Sequence, residues 1–340
     1  MKHEFVGNTP RDLVTLRDWC GLRQEAPLDP GLPIVDSHHH FYDDDRGCYL
    51  LPELQEDMQA GHNVVATVYL QHSAAYLTDG PEAMRPVGEV AFATAIGEQN
   101  RSATRFCAGI VGHADLTLGE DVKPVLEAMQ ATGNGRFKGI RHGATWDAGR
   151  AAYGRRLPPR HLLMSPEFRR GFAQLGPMGL SFDAWIYYPQ LPELIDLIQS
   201  FPDTPIVLNH CGGVLGIPPH TDREAVFAVW RESMSRLAAF PNLSVKLGGL
   251  GMLYGGGEWH HEPTPPDSIT LAKAWAPYVE TCIEAFGPKR AMFESNFPVD
   301  KQSCGYGVLW NAFKRITEQY APGERADLFH DTAARFYRLD

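Results

Sequence analysis

Apolar residues along this chain fall in short dense blocks, at 34–41, 64–71, 106–111, 137–142, 180–187, 205–210, 243–247 and 291–296. The blocks are rich in β-branched and aromatic residues and are apolar on both faces, the pattern of strands in a covered parallel sheet. Amphipathic stretches separate them and predict helices at 53–60, 86–100, 122–131, from Pro166, 190–201, 223–239 and 268–286, with two more at 308–319 and 323–337. Pro52 suits the first turn of its helix. Eight strand–helix units in one chain predict an α/β fold, a closed (β/α)8 TIM barrel. An open doubly wound sheet is disfavoured, because no glycine-rich phosphate loop follows the first strand. Residues 1–32 carry Pro10, Pro27, Pro30 and Gly31 around one weak helix at 12–20, and read as an N-terminal arm on a barrel domain of 33–340.

The strand ends are unusually polar. The first block ends in three histidines, His38, His39 and His40. Strict alternation would set Asp36, His38 and His40 on one face, and Ser37 and His39 on the other, giving His39 a structural role. Later strands end in Gln71-His72, Arg141-His142 and Asn209-His210; the third leads into His113, the seventh carries Lys246, and the eighth carries Glu294 and Asn296. A strand needs none of these for stability, and a buried polar group left unpaired is costly. In a barrel, this is the end where chemistry sits. The remaining histidines, including His220 and the pair His260-His261, read as solvated or structural.

Composition changes the picture little. Hydrophobic residues make up 44% and charged residues 21%, and the net charge of −10 argues against a nucleic-acid surface. The six cysteines form no CxxC pair and read as free thiols of a reducing compartment. No secretory leader and no membrane-length apolar run stands in the sequence, so a cytoplasmic protein is expected, with a small-molecule partner and a homo-oligomer left open.

These residues resemble the amidohydrolase superfamily, and within it the amidohydrolase-related family that contains sugar lactonases and pyrone-dicarboxylate lactonase. The resemblance rests on Asp36-x-His38-x-His40, on LSFDAWIYYPQLPELIDLI followed by FPDTPIVLNHCGG, and on SVKLGGL and MFESNFPVD. It implies a hydrolase that opens a cyclic ester by adding an activated water. A metal-dependent decarboxylase, another hydrolase of the superfamily and a non-catalytic binding barrel are the alternatives. One departure stands out: the family has Ser-Asp-Trp-Pro after strand eight, its aspartate a base or metal ligand, where this chain has Ser295-Asn296-Phe297-Pro298. Asparagine cannot take up a proton at neutral pH, so Glu294 or Asp300 must supply the carboxylate. Glu294 has the stronger claim, because strands hold groups more rigidly than loops.

The expected catalytic set is therefore His38, His40, His210, Glu294, Asn296 and Asp300. His38, His40, His210 and Glu294 are N and O donors of a kind that zinc or manganese accepts. A metal-free route, with the imidazoles holding the carbonyl oxygen, stays equally open. Gln71, Arg141, His142, Tyr153, Arg155 and Tyr187 are the expected substrate contacts. The arginines point to a substrate bearing a carboxylate or sulfonate.

Overall fold

The computed structural model describes residues 11–44, 47–151 and 157–339. Eight parallel strands pair in chain order: β1 (Ile34–His39), β2 (Val64–Leu70), β3 (Arg105–Gly112), β4 (Phe137–Ile140), β5 (Ser181–Ala184), β6 (Ile206–Leu208), β7 (Leu243–Leu247) and β8 (Ala291–Phe293). The two edges meet through hydrogen bonds from Asn296 N–H to His38 O, from His40 N–H to Phe297 O and from Ser37 Oγ to Phe293 O, each 2.8 Å. The result is the TIM barrel that the apolar blocks predict.

Side-chain alternation sorts the strands into two cores. Phe182, Ala184, Ile206, Leu208, Val245 and Leu247 face the surrounding helices in one large apolar cluster. Val35, Val68, Val111, Val207 and Met292 meet inside the cylinder. The final helix, Thr332–Tyr337, closes the N-terminal mouth by adding Ala333 and Tyr337 to that inner cluster. All six cysteines are free, and every one except Cys48 is buried. No helix among the described residues is long and apolar enough to cross a membrane.

Several elements stop short of the expected bounds. β5 ends at Ala184, β6 at Leu208 and β8 at Phe293, and the residues beyond them peel away to form the site. Backbone φ turns positive there, at 58° for His210, 49° for Cys211 and 54° for Asn296. Tyr42–Asp44 and Gly47–Tyr49 pair as a separate two-stranded antiparallel sheet. The helix Leu13–Gly21 of the N-terminal segment is tied to the barrel, with Trp19 Nε1 donating to Glu262 O at 3.0 Å. Glu25 next to it accepts from the Ser268 N–H at 2.8 Å, at the start of the helix Ser268–Phe286.

Candidate active site

β1 does not keep strict alternation: its pairing with β2 slips between Asp36 and His39. Asp36 therefore leaves the face of His38 and His40, against the expectation from an unbroken strand. Its carboxylate accepts from Ser295 N–H (2.9 Å), Ser295 Oγ (2.6 Å) and, in the helix layer, Tyr306 OH (3.0 Å). Burial pushes its pKa up to about 6 in spite of those donors. Asp36 thus ties β1 to the turn after β8. His39 faces outward as expected, with Nε2 2.9 Å from Thr67 Oγ1 and its ring against Phe41 and Tyr69.

His38 and His40 face inward and meet Nε2 to Nε2 at 3.1 Å. The neighbours fix their tautomers. His40 Nδ1 is 2.9 Å from Leu70 O, which can only accept, so Nδ1 carries the proton and Nε2 is bare. Arg141 Nη1, which can only donate, is 3.1 Å from His38 Nε2, so that nitrogen is bare as well. The proton of His38 therefore sits on Nδ1, 2.8 Å from Glu294 Oε2. Glu294 Oε1 accepts twice from His210, from Nδ1 at 2.7 Å and from the backbone N–H at 3.0 Å. One carboxylate thus braces two imidazoles and points their Nε2 atoms away from itself. Burial lowers all three imidazoles below their usual value, helped by Lys246 for His38 and by His72 for His40; for His210 the Glu294 carboxylate opposes it. They are neutral bases at physiological pH.

The contact of Oε2 with His38 is close but bent, and Oε2 keeps no well-aligned hydrogen bond. His38, His210 and Glu294 offer ligand atoms that all lie within 4.8 Å of one another. Neutral imidazoles and an under-used carboxylate oxygen in a buried pocket fit a divalent ion. His40 stands beside this group through His38.

Asn296 is joined to the second carboxylate, its Nδ2 donating to Asp300 Oδ1 at 2.7 Å. The Gly251 N–H donates to Oδ2 at 3.0 Å. Both bonds favour the charged form, yet burial and the nearby charge of Glu294 push Asp300 up to about 8. Below this turn, Lys246 Nζ lies 2.8 Å from Asp183 Oδ1 and 2.8 Å from Ser37 O, a fully buried ion pair under His38.

The matching family pattern is that of the Amidohydrolase family, over residues 35–339. The chain belongs to that family. The amidohydrolase is 35% identical over 325 residues to the uncharacterized protein y4mH of Sinorhizobium fredii, covering 91% of this chain and 99% of that one. It is 26% identical over 320 residues to an L-fucono-1,5-lactonase of Burkholderia multivorans, covering 90% and 96% of the two chains. Its fold matches a crystal structure of a Burkholderia multivorans amidohydrolase with bound zinc at a TM-score of 0.69 and 24% identity, covering 90% of this chain and 99% of that one. The protein is an enzyme of hydrolase type.

In this amidohydrolase the glycines after β7 make room for the Glu294 and His210 side chains. A Cβ on Gly248 would stand 2.4 Å from Glu294 Cγ, and one on Gly249 (φ +66°) 2.5 Å from His210 Cβ and Cγ. Gly249→Ala is expected to displace the His210 ring and to cost about a hundredfold in turnover, the order expected for a displacement of about 1 Å. Turnover measured beside an unchanged circular dichroism spectrum checks it.

The expected substrate contacts divide. Arg141 reaches the imidazoles, and its Nη2 also donates to Gln71 O. Tyr187 is buried in an aromatic wall with Trp185 and Tyr254, and the Trp185 ring meets His210 edge-on at 4.6 Å. His142 points elsewhere: its Nδ1 accepts from Leu116 N–H at 3.2 Å and its ring packs on His113 and Phe168. Tyr153 and Arg155 lie outside the described residues. His260 is buried rather than solvated, and His220 is held between Tyr188 OH and Asp147 Oδ2, 2.8 Å from each. Sequence reasoning missed Trp185, Tyr254 and Asp183. Their only signal was position: Asp183 and Trp185 stand in the block 180–187, and Tyr254 follows the glycines after β7.

Proposed function

We propose that this enzyme hydrolyses a cyclic ester of a small organic acid. The observation that carries the reading is a pair of buried carboxylates with unequal tasks. Glu294 holds His210 and stands against His38, whereas Asp300 is tuned close to neutrality, as a group that takes and returns a proton must be. Water addition needs such a group.

Arg141 supplies N–H donors at the inward Nε2 edge, where charge on the carbonyl oxygen would be stabilised. Asp300 takes a proton from the attacking water and returns it to the ring oxygen as the C–O bond breaks, leaving a hydroxy acid. Trp185, Tyr187 and Tyr254 screen His210 from bulk water. His38, His210 and Glu294, with His40 alongside, would hold a zinc- or manganese-like ion, which supplies carbonyl polarisation and a more acidic water when bound.

The reading is tested on a lactone panel by proton release, with carbon dioxide release from aromatic acids assayed in parallel. Acid release without carbon dioxide supports it, and carbon dioxide release alone overturns it. A chelator is expected to lower turnover, and zinc or manganese to restore it, followed by elemental analysis.

The pH dependence follows from Asp300. A base must be deprotonated, so turnover is expected to climb about tenfold per pH unit and to level off above about 8. The same group makes the fold less stable as pH rises from the ordinary carboxyl range to about 8, because burial penalises only its charged form. Asp300→Asn is expected to remove both slopes and to lower turnover by about a hundredfold. Rate profiles and urea midpoints between pH 5 and 9 measure them.

A further inference from the structure

Glu89 is a fully buried carboxylate outside the catalytic group. It stands in the first turn of the helix Val87–Gln99, which packs directly against the turn that follows β2: a Cβ on Gly88 would stand 2.4 Å from Ala75 O. That turn is tight, with φ of 65° at Ser73 and 51° at Ala75. One oxygen of Glu89 holds it. Oε1 accepts from His72 N–H at 2.6 Å, from Ala74 N–H at 2.9 Å and from Tyr69 OH at 2.8 Å. Gln71, just before the turn, offers its carbonyl to Arg141 Nη2, and His72 sets its ring 4.7 Å from that of His40.

The second oxygen is unspent. Glu89 Oε2 is buried with no hydrogen-bond partner among the described residues, and so is Arg141 Nε. The first can only accept while the carboxylate is charged, and the second can only donate. Buried groups left in that state are costly, so a complementary pair of them is informative.

Elimination points the same way. Three carboxylates act on the Arg141 charge: Asp183, Glu89 and Glu294. Asp183 is taken by Lys246 at 2.8 Å and Glu294 by His210 at 2.7 Å. Among the described residues, Glu89 contacts only neutral donors, and its charge is left to Arg141. Burial raises the Glu89 pKa, but its three donors and the Arg141 guanidinium all favour the charged form.

We infer that Glu89 is a positioning residue of the reaction: its charge orients the Arg141 guanidinium, and its Oε1 fixes the turn whose Gln71 carbonyl holds that guanidinium against His38. The catalytic part of that statement rests on the proposed function; the hold on Arg141 does not.

The Arg141 Nε–H reads the hold directly. In ¹⁵N-labelled full-length enzyme its resonance is identified by its loss in Arg141→Lys. In the wild type it is expected to exchange with solvent about tenfold or more slowly than those of exposed arginines. Glu89→Gln keeps the size and turns an N–H₂ toward the guanidinium. It is expected to move that resonance and to speed its exchange about tenfold, the worth of a hydrogen bond to a charged group. On a lactone that the panel shows to be turned over, kcat is expected to fall about ten- to a hundredfold, the range for a group that orients a functional side chain. KM should stay within about twofold, because the loss falls on the transition state. Glu89→Asp keeps the charge on a shorter stem and is expected to give a smaller change of the same sign, which covers a Glu89→Gln that does not fold. Tyr69→Phe removes one hydrogen bond from the same oxygen, keeps the charge, and is expected to leave the Arg141 resonance in place. An Arg141 Nε–H that exchanges freely in the wild type, or that ignores both Glu89 variants, overturns the proposal. Equal responses to Glu89→Gln and Tyr69→Phe reduce Glu89 to a support of the turn and overturn its charge role. A moved resonance with unchanged kcat removes Glu89 from the reaction. A moved resonance in an enzyme that turns over no lactone sustains the hold on Arg141 and removes the proposed reaction.

Discussion

Glu294→Gln is expected to lower turnover by about 10³- to 10⁴-fold with the fold retained, the scale seen when a carboxylate that orients a catalytic imidazole becomes an amide. The cause is proton placement. Glu294 Oε1 accepts the Nδ1 proton of His210 at 2.7 Å, and Oε2 stands 2.8 Å from His38 Nδ1 in a bent contact. A carboxylate can accept on both oxygens, but an amide turns an N–H₂ toward one ring. That ring must flip its tautomer to Nε2–H, and the bare nitrogen that would take an ion is lost. The expected signature is a change in imidazole ¹⁵N shifts, together with lower metal content in metal-loaded protein. Glu294→Asp keeps both acceptors on a shorter stem and should recover part of the activity. Full activity in Glu294→Gln would remove Glu294 from the machinery.

The role of Glu294 was only half legible in the sequence. Its place at the end of an apolar block identified a polar group at a barrel mouth, and the array of histidines followed by the same logic. Whether it would act on substrate or brace its neighbours depends on where His210 turns. His210 turns through φ 58°, a conformation uncommon for any residue other than glycine. The slip in β1 was equally hidden: Asp36 carries the same alternation signal as His38, and only the closure with Ser295 and Tyr306 turns it outward. The barrel itself was legible because each strand is an independent apolar block, and eight blocks leave little choice of architecture. Element ends were not, since the last residues of β5 and β8 leave the sheet to serve the site. Tyr187, read as a substrate contact, stands in the aromatic wall beside His210, a setting its place in the block 180–187 did not announce.

Lys246→Met should carry the largest cost in stability, about 3–5 kcal/mol, the range for removing one partner of a buried ion pair. Lys246 and Asp183 are both fully buried, 2.8 Å apart. Asp183 also accepts from Asn209 Nδ2 at 3.0 Å and from Tyr337 OH at 2.9 Å, but neither bond brings a charge. Methionine fills the volume of the lysine stem, so the loss measures charge rather than a void. The ammonium also lies over the Tyr337 ring at 5.2 Å, and so joins the terminal helix to the barrel floor. If uncompensated charge is the cause, adding Asp183→Asn to Lys246→Met should restore a large part of the loss. Urea denaturation of the two single variants and the double variant gives the coupling directly. Simple additivity would show that the pair acts through packing alone. The pair also supports the chemistry: Lys246 Nζ holds Ser37 O at 2.8 Å, the residue before His38. Lys246→Met should therefore loosen β1 where His38 leaves it, and turnover should fall even below the denaturation midpoint, where the chain remains folded.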